Sequence, residues 1–341
     1  MTTYLPILRS RAAELRGLKE LPENIRHRLF PIVELTRSRR TSKNPSGEIK
    51  KSVEAVCEIM GTRPFVVDLT SLESLQNSEF EHLLDDTDGF KAWADFAKAL
   101  LPEQCVPIVH LLEPFELQPF QFQVLQLREK FSRVAIRVPT SYRDFDHLLR
   151  ACDLTFSNLN DVVLTLDAGY VNQNGMVGAL PRLAEMLEAV DGRQFCNVSV
   201  AASSFPNSVV SAGGDDDVGQ FPLYEVLLWN ELRRRFVWLD YGDYAAIHPI
   251  DFVGTVTNWV PRVDVMLNDS FYYHRYRRSA GGYVRAAQEA HRDTRYAPLA
   301  SWAQANIEAA AAGAPNGRSP SFWIANRVNF HLARQVARVV R

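Results

Sequence analysis

Eight short apolar runs recur in the first 245 residues of this 341-residue chain, at 4–8, 30–35, 64–69, 106–112, 134–138, 161–166, 195–201 and 236–239. Seven of them carry an ionisable residue near the C-terminal end: Arg9, Glu34, Asp68, His110, Arg137, Asp167 and Asp240. Each run has strand length and is apolar at nearly every position, as expected of strands covered on both faces of a parallel sheet. Successive runs start about 25 to 42 residues apart, room for a strand and its crossover helix.

Helical spacing fills the gaps. Ile49, Val53, Val56, Cys57 and Met60 lay one apolar stripe, as do Phe90, Trp93, Ala94, Ala97, Leu100 and Leu101. Phe120, Val124, Leu127 and Phe131 make another, followed by stripes over 142–152 and 180–190. Eight such units close a (β/α)8 TIM-like barrel. An open doubly wound sheet would carry a Gly-rich first turn, which Leu8-Arg9-Ser10-Arg11 is not.

The expected organisation is one barrel domain over 1–341, with an elaboration at 245–320 between the eighth strand and a closing helix. Within it, residues 263–267 and 271–276 flank Asn268-Asp269-Ser270 and read as a hairpin, with helical stretches at 283–292 and 298–312. The closing helix is expected over 322–340. Gly213-Gly214-Asp215-Asp216-Asp217 reads as an acidic loop after the seventh strand, either a lid or an exposed turn.

A formal net charge of −2 argues against a nucleic-acid coat protein, yet twelve Arg against five Asp or Glu follow from Arg262 onward. The four cysteines are scattered without a C-x-x-C, as in a reducing compartment. No run approaches the roughly 18 apolar residues of a membrane span, so a cytoplasmic protein is expected.

Period-two geometry puts Glu34, Asp68, His110, Arg137, Asp167 and Asp240 on one strand face with Ile32, Val66, Ile108, Ala135, Thr165 and Trp238 respectively. At strand C-termini these residues would ring the barrel mouth, where barrel chemistry is done. They form either a functional site or a salt-bridge network plugging the barrel end. No lysine ends a strand, which excludes a Schiff-base aldolase. No His-x-His follows the first strand, and no Gly-x-Ser-x-Gly elbow occurs.

What remains suits phosphate chemistry. Glu34, Asp68 and Asp240 would hold Mg²⁺ or another divalent cation. Arg9 and Arg137 would grip phosphate oxygens, with Tyr241 beside them. His110 would move the proton, and Asp167 would orient a ligand or partner group. The expected reaction is metal-assisted hydrolysis of a phosphorylated or nucleotide-like substrate. The alternative is a non-catalytic sensor or scaffold, docking nucleic acid through Arg275, Arg277 and Arg278 in the run Tyr272-Tyr273-His274-Arg275-Tyr276-Arg277-Arg278.

Several stretches together resemble the beta protein family of phages and bacteria. They are Tyr4-Leu5-Pro6-Ile7-Leu8-Arg9, Leu18-Lys19-Glu20-Leu21, Pro31-Ile32-Val33-Glu34-Leu35, Asp240-Tyr241-Gly242-Asp243-Tyr244 and Asn329-Phe330-His331. The resemblance spans essentially the full length. Where the family often shows two adjacent histidines after the asparagine, Phe330 stands in place of the first. The resemblance implies a phage or antiphage-defence context, with a defence-system partner, and no particular reaction.

Overall fold

The computed structural model describes residues 2–209, 218–251 and 259–340. Its strands are β1 (Tyr4–Arg9), β2 (Ile32–Leu35), β3 (Phe65–Leu69), β4 (Cys105–Pro107), β5 (Val134–Pro139), β6 (Val162–Tyr170), β7 (Asn197–Ser203), β8 (Val218–Pro222), β9 (Asp240–Asp243), β10 (Arg262–Met266) and β11 (Ser270–Arg275). Eight of them, β1 to β7 and β9, run parallel in the order β4-β3-β2-β1-β9-β7-β6-β5. A parallel bridge between Ile108 and Ala135 spans the seam between β4 and β5. There the Val109 N–H donates to the Ala135 carbonyl at 2.7 Å. The architecture is the TIM-like α/β barrel that the apolar runs imply. Both strand faces are buried: Ile7, Ile32, Val66 and Ala135 share the inward face with Arg9, Glu34, Asp68 and Arg137, while Val33, Ile136, Leu164 and Val200 face the helices.

The eighth barrel strand begins four residues later than the apolar run at 236–239. Phe236 caps the preceding helix Tyr224–Arg235, and the Leu239 N–H closes a turn onto the Phe236 carbonyl at 3.0 Å. Phe236 and Leu239 are buried there while Val237 and Trp238 face solvent. A hydrophobic turn therefore imitated a short strand, and the actual strand is Asp240–Asp243. The fourth strand is correspondingly short, because the chain leaves extended geometry soon after Pro107.

The hairpin of β10 and β11 forms as expected, in antiparallel register with Val265 opposite Tyr272. It gains a third strand, β8, from the segment after the seventh barrel strand. The loop 213–217 lies outside the described residues. Helices Gly282–Arg292 and Trp302–Ala311 follow the hairpin, and Pro320–Val339 closes the chain, capped by the Ser319 hydroxyl. That last helix is buried along most of its length. It lies so close to the first helix, Ala12–Lys19, that a Cβ on Gly17 would come within 2.7 Å of Val328. Asn329 seals the contact by donating to the Gly17 carbonyl at 3.0 Å. Among the described residues, no helix is long and apolar enough to cross a membrane.

Candidate functional site

Register sets the mouth of the barrel. Arg9 pairs with Glu34 and Glu34 with Asp68 across β1, β2 and β3, so their side chains sit at one level on one face. From the far wall Arg137 reaches over the barrel axis. Its Nη1 donates to Glu34 Oε1 at 2.7 Å and to Asp68 Oδ2 at 2.9 Å. Its Nε donates to Asp167 Oδ2 at 2.9 Å, and its Nη2 to Tyr244 Oη at 2.8 Å. The Tyr244 hydroxyl in turn donates to Asp167 at 2.6 Å. Arg9 stands at the edge, 3.5 Å from Glu34, and donates to the carbonyls of His248 and Pro249. Those carbonyls are delivered by a sharp turn in which Ala245 and Ala246 both take positive φ angles, 47° and 63°.

Burial alone would lower the Arg137 pKa, but Tyr244, Asp167, Glu34 and Asp68 outweigh it and hold the guanidinium firmly charged. Burial pushes Asp68 above its ordinary value, with Arg137 offsetting part of the effect. Three carboxylates thus share one guanidinium, with a second at the rim.

Beside this cluster lies a cavity of about 910 Å³ that includes Arg9 in its wall. Arg11, Arg37, Arg39, Arg40, Lys51 and Arg327 also line it, against only Glu14 and Asp251. Among the described residues no carboxylate lies within ion-pair distance of Arg11, Arg37, Arg39 or Arg40. Arg37 is held below its ordinary pKa by partial burial and then by the like charges of Arg40 and Arg11. Arg327 is pushed down to about 10 by burial, although Asp264 at 3.2 Å opposes this. Guanidinium groups crowded together with few counter-charges create a positive potential that attracts anions.

The profile of the Beta protein family matches residues 4–337, nearly the whole chain. The chain belongs to the Beta protein family. It is 30% identical to Protein beta of Enterobacteria phage P4 over 349 aligned positions, covering 98% of this chain and 93% of the phage protein.

In this Beta family barrel, five of the residues proposed from sequence converge: Arg9, Glu34, Asp68, Arg137 and Asp167. Three others expected at the mouth lie elsewhere. Asp240 begins β9 instead of ending a strand. It sits at the opposite end of the barrel, accepting from the Thr3 N–H at 2.6 Å and from Asn197 at 2.7 Å. Tyr241 faces the outer layer, its ring 5.3 Å from both Tyr4 and Trp229 and 4.6 Å from the Arg338 guanidinium. His110 turns outward too, because strand alternation has ended before it. Its ring packs against Phe90 and Trp93, and Gln123 clasps its backbone at both the N–H and the carbonyl. Burial pushes its pKa down to about 4, so the imidazole is neutral at pH 7. Arg275 ends β11, and Arg277 and Arg278 are exposed just after it, on the appended sheet away from the strand ends.

A cation site does not fit these residues. Arg137 already fills the space between Glu34, Asp68 and Asp167, and Asp240 is remote. Among the described residues no three His, Cys, Asp or Glu side chains are grouped to hold a metal ion. Sequence reasoning missed Tyr244, which lies beyond the strand end, and the cationic loops. A signal for the latter was present: Arg9-Ser10-Arg11 after the first strand is echoed by Arg37-Ser38-Arg39-Arg40 after the second.

Proposed function

We propose that the mouth of this barrel is a receptor for a phosphorylated, nucleotide-like anion. The carrying observation is the wall of Arg11, Arg37, Arg39 and Arg40, cations without carboxylate partners among the described residues, around a cavity large enough for such a ligand. Guanidinium forks match phosphate oxygens in pairs, which a diffuse positive surface does not. The geometry favours a receptor over a hydrolase. The imidazole expected to move the proton, His110, faces the outer helices, and the mouth carboxylates are engaged by Arg137. A role in antiviral defence, implied by the family resemblance, is part of this proposal, and the P4 relative is a phage protein.

The test is thermal shift and titration calorimetry with ADP, ATP and pyrophosphate. Arg37→Ala and Arg40→Ala are each expected to weaken binding about tenfold, the loss of one charge-assisted contact. The folded state should keep its melting temperature without ligand. Absence of any shift with millimolar nucleotide or pyrophosphate would overturn the reading.

A second reading, docking of single-stranded nucleic acid on the appended sheet, draws on exposed Arg277 and Arg278 next to Tyr276, on which Arg285 stacks at 4.2 Å. Reversing both charges in Arg277→Glu/Arg278→Glu is expected to abolish any oligonucleotide binding and leave the nucleotide response intact. Unchanged oligonucleotide affinity in that variant would refute this second surface.

A further inference from the structure

Of the two carboxyl groups in the cavity wall, Glu14 and Asp251, Glu14 is the buried one. Glu14 lies in the first turn of the helix that follows β1, is 5% exposed, and forms part of the cationic cavity. Its Oε2 accepts the Arg9 N–H at 2.6 Å, and no hydrogen bond reaches its other oxygen among the described residues. We propose that Glu14 is the specificity-determining acid of this cavity: a phosphate-bearing anion enters only when Glu14 is the neutral carboxylic acid, so that ligand and proton bind together. The inference rests on the receptor reading given above.

The argument is electrostatic. An ionised Glu14 would repel the ligand at close range and would compete with it for the guanidinium groups. A neutral Glu14 leaves those cations to the ligand and offers an O–H donor besides. The groups sharing its surroundings come from every neighbouring element. They are Arg9 of β1, Glu34 of β2, Arg11 at the cap of its own helix, Lys51 of the helix Ile49–Met60 and Arg327 of the final helix, with His248 and Asp251 from the segment after β9. Burial pushes the Glu14 carboxyl up from 4.5 to about 7; Arg9 and Arg11 oppose this and Glu34 adds to it. The switch therefore falls in the range where a cell's pH varies. His248 is held below its ordinary value by burial, with its hydrogen bond to the Phe205 carbonyl opposing and Arg9 adding to the shift.

The sign follows from linkage. A bound anion raises the Glu14 pKa further, so affinity falls as pH rises past about 7, approaching tenfold per pH unit. Inorganic sulfate is the probe, because its charge stays constant between pH 6 and 9 while a phosphate monoester titrates. Sulfate affinity is to be measured across that range by thermal shift for the wild-type protein and for Glu14→Gln, which mimics the neutral acid. The wild type should lose roughly tenfold or more in affinity from pH 6 to 9, and Glu14→Gln should bind with little pH dependence.

A flat wild-type profile, or an equal fall in Glu14→Gln, overturns the inference while leaving the receptor reading standing. Failure of both proteins to bind sulfate and pyrophosphate even at pH 6 overturns the receptor reading itself. Should Glu14→Gln fold poorly, calorimetry of sulfate binding to the wild type in two buffers of different ionisation enthalpy counts the protons directly. Uptake should approach one proton per sulfate bound at pH 8, and its absence refutes the coupling.

Discussion

Replacing Arg137 with methionine is expected to destabilise the protein by about 3–5 kcal/mol at pH 7, the range for stripping one partner from a buried ion cluster. The side chain is the only cation within hydrogen-bonding distance of Asp68 and Asp167 among the described residues, and it holds Glu34 as well. Methionine fills similar volume, so the loss measures charge and hydrogen bonding rather than a cavity. Three carboxylates left together in a mouth that is mostly buried must take up protons or admit water. The deficit should therefore shrink as pH falls and protonation relieves the stranded charge, and this separates electrostatics from packing. Arg137→Lys should recover only part of the loss, since one ammonium cannot span the partners that the planar fork reaches. Urea unfolding at pH 7 and pH 4.5 checks the expectation. Equal stability of Arg137→Met and wild type at pH 7 would show that the cluster does not depend on this residue.

The five mouth residues that came together were legible because each lies near the C-terminal end of its strand, within the stretch where alternation holds. In β2 and β3, Ile32 and Val66 point the same way as Glu34 and Asp68, and parallel register carries that level from strand to strand. His110 fails the same logic for a local reason: β4 ends at Pro107, so counting by twos past Ile108 has no physical basis. Asp240 and Tyr241 fail for the opposite reason. The turn at 236–239 is apolar enough to read as a strand, and moving the true strand four residues along carries Asp240 from the mouth to the floor. The cationic cavity was hidden because loops have no periodicity. Arg11, Arg37, Arg39 and Arg40 reveal themselves only by the repeated Arg-Ser-Arg after consecutive strands. Arg327 meets them from a helix some 300 residues away in sequence, a contact no local pattern encodes.

The final helix carries the second large effect. Asp243→Ala is expected to cost about 3–5 kcal/mol, because it would strand a buried histidine and two buried donors at once. Asp243 ends β9, with one oxygen accepting from the Tyr4 hydroxyl at 2.7 Å and from the Ala245 N–H at 2.9 Å. Its other oxygen lies 2.7 Å from His331 Nε2, and the His331 ring is wholly buried, stacked on Phe271 at an interplanar angle of 4°. Burial alone would raise this carboxyl; His331 and the three hydrogen bonds outweigh it and hold Asp243 below its ordinary value. A depressed carboxylate stabilises the fold above its unfolded pKa, and that contribution disappears as pH drops through the folded value. Asp243→Asn keeps an acceptor for Tyr4 and Ala245 but loses the carboxylate that faces His331, so it should fall between wild type and Asp243→Ala. Both gaps should narrow in acid, below about pH 4. The network joins the first strand, the last barrel strand and the last helix, residues 4, 243 and 331, so its loss should appear as one cooperative shift in denaturant midpoint with an unchanged slope. A separate early transition of the final helix in Asp243→Ala would mean that this helix is only peripherally attached, and that the buried pair does not tie it to the barrel.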